Sequence, residues 1–233
     1  MSSEKEKALD FSNRAYLLPP INREALKFGP VAFALALAVV AGTWFCPVLA
    51  WFAVPSLLLA WGVCLFFRDP DRYPPDDPSA ILSPADGRVC MVEECDLPDS
   101  LADGTRHVRV SVFMSVFDVH VNRMPTAGTV EKVEYVAAGK FLNASLDKAS
   151  KENERCNYLV RAERGVYAVT QIAGLVARRI VPQVKEGERR EAAERFGLIR
   201  FGSRLDVYLP VGVKALVRVG QRTVAGETVL ARF

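Results

Sequence analysis

The sequence predicts an α+β fold that is mainly β: an N-terminal hydrophobic helical hairpin, then one β-rich domain with a small C-terminal hairpin or barrel element. Residues 28–67 contain no Asp, Glu, Lys or Arg, and this stretch is about twice the roughly 20 apolar residues that one bilayer-spanning helix needs. The next segment, RDPDRYPPDDP, is rich in Pro and Asp and reads as a linker. Beyond it, short alternating runs separated by turn residues replace the continuous apolar pattern.

Within the apolar stretch, Cys46-Pro47 is the natural turn, giving spans over about 30–45 and 48–67 with Pro55 inside the second. Trp44, Trp51 and Trp61 are candidate interface or packing aromatics. Lys5, Lys7, Arg14, Arg23 and Lys27 precede the hairpin and Arg68 and Arg72 follow it. The positive-inside tendency therefore predicts a cell-membrane protein whose β-rich domain lies on the cytoplasmic side. The apolar run begins too late and continues too long for a cleaved signal peptide. A buried helical pair in a soluble core is the alternative, but such helices normally carry a charged face.

Strand-like runs follow at 87–93, 107–113, 128–135, 158–164, 166–172 and 205–209, and residues 186–196 are the best helical candidate of this half. The closing stretch GVKALVRVGQRTVAGETVLARF alternates apolar and polar residues around Gly220 and Gly226, as a β-hairpin or small barrel element does. The expected organisation is an N-terminal segment and membrane hairpin over 1–67 and one β-rich domain over 68–233.

At 233 residues the chain suits one sizeable domain plus a membrane segment. Thirty basic and 27 acidic residues leave a net charge of +3, too balanced for a nucleic-acid binder with a dominant electrostatic footprint. Cys46, Cys64, Cys90, Cys95 and Cys156 form no Cys-x-x-Cys pair, and His107 and His120 are the only histidines, so no metal site is expected. His107, in TRHVRV, reads as a solvent-facing strand residue.

The chemistry concentrates in SPADGRV (83–89), FMSVFDVHVNRMP (113–125), GKFLNASLDKASKENER (139–155), QIAGLVARRIV (171–181) and GLIRFGSRLDVYLP (197–210). A lone Gly-Ser is a common turn, Asp86-Gly87 after a proline is an ordinary β-turn, and His120 on an alternating run is as readily a structural histidine. Together and in this order, however, the five segments resemble the phosphatidylserine decarboxylase proenzymes, in particular their compact bacterial and archaeal branch.

The resemblance implies a precursor that cuts itself between Gly202 and Ser203 into a β chain of residues 1–202 and an α chain of residues 203–233. Ser203 Oγ attacks the Gly202 carbonyl to give an ester, and β-elimination and hydrolysis leave a pyruvoyl group at the new N-terminus. A glycine before the serine suits a strained turn. The resemblance further implies that the pyruvoyl group, with no pyridoxal phosphate, captures the amine of a phosphatidylserine and receives the electrons left by departing carbon dioxide. His120 is then the base and later proton donor, and Asp86 orients its ring. Arg123 stands where another branch has a second histidine. Phe117, Arg123 and Asn143 are weaker candidates for the substrate pocket. The implied partners are a phospholipid, a membrane, the two chains of one precursor and no nucleic acid; homo-oligomer formation is left open.

Two rivals use the same residues. Ser203, His120 and Asp86 could form the triad of a membrane-bound serine hydrolase, although Phe-Gly-Ser-Arg-Leu is not a G-x-S-x-G elbow. A non-enzymatic, membrane-tethered module of biotinyl or lipoyl type would use the closing stretch, although its turn carries no lysine for the cofactor.

Overall fold

A computed structural model describes residues 20–137, 153–174, 179–200 and 202–233. The chain divides into two compact units, residues 1–71 and 72–233. In the first, α1 (Ala25–Gly42) and α2 (Ala50–Phe66) are joined through a 3-10 turn over Pro47–Leu49. Both helices are long and apolar enough to cross a bilayer. Four of the five buried positions of the pair are small residues, Ala25, Gly29, Ala36 and Ala60, and the fifth is Phe66 at its end. The larger Leu26, Leu35, Trp44, Trp51 and Leu59 are exposed. Small residues between helices and large apolar ones outside are the pattern of helices packed in lipid, where the solvent is as apolar as leucine. A Cβ on Gly42 would lie 2.7 Å from the end of the Leu49 side chain, so a larger residue there would make that leucine shift. At the open end, the Phe28 and Phe67 rings stack at 5.6 Å and Asn22 N–H donates to the Phe67 carbonyl.

The second unit is almost wholly antiparallel β. Its strands are β1 (Ala80–Leu82), β2 (Gly87–Asp96), β3 (Arg106–Met114), β4 (Val121–Arg123), β5 (Gly128–Val136), β6 (Arg155–Ala162), β7 (Gly165–Ala173), β8 (Arg179–Pro182), β9 (Arg189–Arg190), β10 (Arg195–Arg200), β11 (Ser203–Tyr208), β12 (Arg222–Thr223) and β13 (Val229–Arg232). Eight form one sheet in the order β12-β2-β3-β11-β7-β6-β5-β9, three form another in the order β4-β10-β8, and β1 pairs with β13. Each run expected to be strand is strand except for the ends at 163–164, which form a turn, and at 209.

Two expectations needed the tertiary structure. The helix expected over 186–196 does not form: Gly187 and Ala193 take φ of 83° and 61°, which break a right-handed helix. The segment instead supplies β9 to β5 and β10 to both β4 and β8. Arg190 bonds Glu188 and Glu194, each at 2.6 Å, and the i,i+4 pair that suggests a helix here braces a turn. The closing stretch is β structure, but β12 pairs with β2 and β13 with β1.

The strand β11 is buried along its whole length between β3 and β7. Strand alternation sends Leu205 and Val207 into the apolar core and Arg204 and Asp206 to the opposite face. There Arg204 Nε lies 2.8 Å from Asp206, both fully buried, with Arg109 3.7 Å from the same carboxylate and bonded in turn to Glu93. Removing one member of a buried pair strands the other charge. Asp206→Ala is therefore expected to destabilise this unit by about 3–5 kcal/mol, whereas breaking the surface pair Arg161–Glu131 should hardly move the unfolding midpoint. Urea titration checks both.

Consecutive strands β10 and β11 lie in different sheets, so the chain changes sheets between Arg200 and Ser203. Phe196 on β10 packs edge-on against Tyr158 on β6 at 5.2 Å, tying the two sheets together just before that crossing. Burying a phenylalanine side chain contributes about 1.5–3 kcal/mol, so the crossing leaves a firmly held strand.

Candidate active site at a crossing between two sheets

Gly202 occupies the crossing with φ of 66°, a left-handed conformation that costs other L-residues roughly 1–2 kcal/mol. Its two backbone polar groups are both engaged. The N–H donates to His120 Nε2 at 3.2 Å, and the carbonyl accepts from Gly174 N–H at 3.0 Å. The next residue, Ser203, is fully buried, and its Oγ has no hydrogen-bond partner among the described residues. A buried hydroxyl left unpaired costs about 1–3 kcal/mol, and such a group is a candidate for chemistry.

His120 reaches this point because β4 pairs with β10, Val121 facing Leu198, while Ile199 N–H donates to the His120 carbonyl. The ring is fully buried, with Nδ1 2.9 Å from the Asp118 carbonyl. A carbonyl only accepts, so Nδ1 carries the proton and Nε2 presents its lone pair to Gly202. Asp118 is held in turn: its carboxylate accepts from Ser115 N–H at 2.8 Å, Ser115 Oγ at 2.7 Å and Arg222 Nη2 at 2.7 Å.

Asp86 lies elsewhere. Its carboxylate takes one nitrogen of Arg72 at 2.9 and 2.8 Å and the Ala225 N–H at 2.8 Å. It thus ties the linker end to the C-terminal segment, and the orienting contact expected from it is supplied to the imidazole by the Asp118 carbonyl. The turn after Asp86 needs its glycine, because a Cβ on Gly87 would lie 2.1 Å from the Phe113 carbonyl oxygen. Arg123 is buried and donates to the Ala193 carbonyl at 3.0 Å. Phe117 is 82% exposed at the tip of the 115–118 turn, not enclosed in a pocket. Asn143 lies outside the described residues. His107 is buried, not solvent-facing, with Nδ1 on the Leu209 carbonyl and Nε2 on Thr105 and Asp103.

Other motif residues build the floor. Burial pushes the Tyr158 phenol far above its ordinary range, so it stays protonated and donates to Gln171 Oε1 at 2.7 Å. That leaves Gln171 Nε2 to donate to Asn122 Oδ1 at 2.7 Å, and Asn122 Nδ2 to face Met114 Sδ at 3.6 Å. Asn153 Nδ2 donates to the Ala173 carbonyl at 2.7 Å, and Ala173 N–H to the Glu154 carbonyl at 2.9 Å, fixing the segment that presents Gly174. Asp118, Gly174, Gln171 and Asn122 were missed as site residues. Only Asp118 left a local signal, the Ser-x-x-Asp spacing of 115–118. Among the described residues no cluster of three or more His, Cys, Asp or Glu could hold a metal ion.

The arrangement offers a nucleophile, a carbonyl one residue before it, a donor already on that carbonyl's oxygen and a base aimed at the same dipeptide. The family model for phosphatidylserine decarboxylase matches residues 59–231. A phosphatidylserine decarboxylase proenzyme of Erythrobacter litoralis is 52% identical over 225 residues, covering 92% of this chain and 88% of its own. One from Novosphingobium aromaticivorans is 49% identical over 226 residues, covering 92% and 87%. With a match running from the second apolar helix through the crossing to the closing strand, and relatives about half identical along nearly their whole length, the chain belongs to the phosphatidylserine decarboxylase family.

Proposed function

We propose that this chain cuts itself at Gly202-Ser203, converts Ser203 to a pyruvoyl group and decarboxylates phosphatidylserine to phosphatidylethanolamine and carbon dioxide. The observation that carries this reading is the buried, unpaired Ser203 Oγ beside a Gly202 carbonyl that already accepts a hydrogen bond.

In maturation, His120 Nε2 takes the Ser203 hydroxyl proton as Oγ adds to the Gly202 carbonyl carbon. Negative charge develops on Gly202 O, where Gly174 N–H is in place, and one such donor is worth roughly 10²–10³ in rate. The amide nitrogen of Ser203 leaves with the proton from His120, and the acyl group passes to Oγ as an ester. Loss of the Ser203 Cα proton then expels Gly202 as a carboxylate and leaves a dehydroalanine, whose imine tautomer adds one water and releases its nitrogen as ammonia. The buried, unpaired hydroxyl and the fit of Gly202 to a left-handed turn agree with Ser203 as the source of the group. When formed, that group supplies an electrophilic carbonyl that captures the substrate amine and accepts the electron pair left by carbon dioxide.

Cutting the chain frees Gly202 to withdraw its N–H from Nε2, and His120 then holds a proton at the position where the product carbon needs one. Asp118 keeps the ring in one tautomer through both stages. A serine hydrolase would need Nε2 on Ser203 Oγ and a carboxylate on Nδ1. Here Nδ1 faces the Asp118 backbone carbonyl, and Asp86, the carboxylate such a triad would use, is held by Arg72. The carrier reading needs a lysine in the turn of the closing stretch, and VGQRTVAGETVLA has none.

Denaturing mass spectrometry tests the proposal: fragments 1–202 and 203–233 are expected, the smaller without a free amine, together with carbon dioxide release from phosphatidylserine vesicles. An intact chain with a free Ser203 would overturn it.

The hairpin is the membrane anchor in this reading, with Arg23, Lys27, Arg68 and Arg72 holding both its ends on the cytoplasmic side. Deleting residues 1–67 is expected to remove most co-sedimentation with phospholipid vesicles while leaving the β unit folded. Unchanged sedimentation would put the anchor elsewhere.

A further inference from the structure

We propose that two turns beside the site, 115–118 and 218–221, form a second, lipid-facing contact that seats the β unit on an anionic phospholipid surface. The proposal rests on the phosphatidylserine decarboxylase reading and adds to it the surface through which the substrate enters.

The first turn presents Val116 and Phe117 outward, both exposed. The second, closed by Gln221 N–H on the Arg218 carbonyl at 3.1 Å, presents the exposed Val219. Neighbouring strands hold the turns side by side. Arg222 pairs with Arg88 across β12 and β2, and Arg88 pairs with Phe113 on β3, which leads into the first turn. The Arg222 side chain closes the link by bonding Asp118 at 2.7 Å, and Arg88 reaches the Gly220 carbonyl at 3.3 Å.

The rim therefore carries three exposed apolar side chains interleaved with Arg88, Arg218 and Arg222, all exposed. Asp118 is the only acid within 115–119 and 218–222, and it is paired with Arg222. Apolar tips of this kind enter the boundary between head groups and acyl chains, and arginines between them meet lipid phosphates and carboxylates. A protein partner would be expected to meet a continuous apolar patch, whereas this rim alternates turn tips with positive charge.

Position ties the rim to the chemistry. Phe117 is three residues from His120, at most about 10 Å along the chain, and Asp118 joins the two by holding the turn with its side chain and the ring with its carbonyl. A lipid whose tails stay in the bilayer then needs to raise its head group by only about that depth.

The test uses the full chain with Trp44, Trp51 and Trp61 replaced by Phe and Phe117→Trp as the single reporter. In vesicles of phosphatidylcholine and phosphatidylglycerol with brominated acyl chains, the emission is expected to shift to the blue and be quenched. Arg88→Gln with Arg218→Gln should weaken both effects. Unquenched emission at the wavelength of a water-exposed indole would overturn the proposal, as would quenching indifferent to the arginines.

A second arm compares Val116→Asp with Val219→Asp in one chain on two substrates. Self-cleavage should proceed normally, kcat/KM on phosphatidylserine vesicles should fall about tenfold or more, and kcat/KM on short-chain, monomeric phosphatidylserine should stay within about twofold. Equal losses on both substrates would mean local damage to the site and sink the idea. The quenching arm reads no catalysis, so failure of the decarboxylase reading and failure of the docking surface give different results.

Discussion

Ser203→Ala is expected to yield one uncut chain of 25.7 kDa with no detectable decarboxylation, the largest effect any single substitution should have. In the proposed mechanism alanine lacks the hydroxyl that would attack Gly202 and, with it, the source of the pyruvoyl carbonyl, so maturation and turnover should disappear together. The fold should survive. Ser203 sits at the first position of a strand paired on both sides, and its Oγ makes no hydrogen bond to lose. Replacing an unpaired buried hydroxyl by a methyl hydrogen set removes a desolvation penalty, so the unfolding midpoint should hold or rise slightly. Mass spectrometry and urea titration of the same sample check the pair of outcomes. Two fragments from the variant would refute Ser203 as the nucleophile.

His120→Ala should slow self-cleavage by about 10²–10⁴, the usual worth of a positioned general base. Gly174 N–H remains on the Gly202 carbonyl in that variant, so residual cleavage over hours is expected. Fragments formed in this way should still turn over slowly, because the proton that Nε2 delivers to the product carbon is also missing. Full turnover in matured His120→Ala would confine the residue to maturation, and rapid cleavage would remove it from the site. His107→Gln is the comparison. His107 braces Thr105 and Asp103 against the Leu209 carbonyl, so this variant should cleave at the parent rate.

Much of the molecule was legible in its residues because the relevant physics is local. Forty residues without charge cannot form the usual half-wet surface helix, and the helical pair follows from composition. Alternation and turn residues located the strands, since a strand's period is written in its own side chains. The motifs likewise pointed to Gly202, Ser203 and His120, residues from distant parts of the chain that the fold brings into one cluster.

Partners were decided only in three dimensions. Residues 186–196 have helical composition, yet positive φ at Gly187 and Ala193 and pairing with β4, β5 and β8 outweigh it. A propensity of a few tenths of a kcal/mol per residue yields to a strand's ladder bonds and the burial of Phe196. Asp86 looked like the carboxylate for His120 because both lie in motifs, but the fold gives it Arg72 and Ala225, and gives the imidazole a backbone carbonyl. Backbone donors and acceptors are the same at every residue, so neither that carbonyl nor the Gly174 N–H on Gly202 leaves a mark in the sequence. Local pattern determined the helical pair, most of the strands and which side chains can react; the pairing of distant strands decided the state of residues 186–196 and which groups those side chains meet.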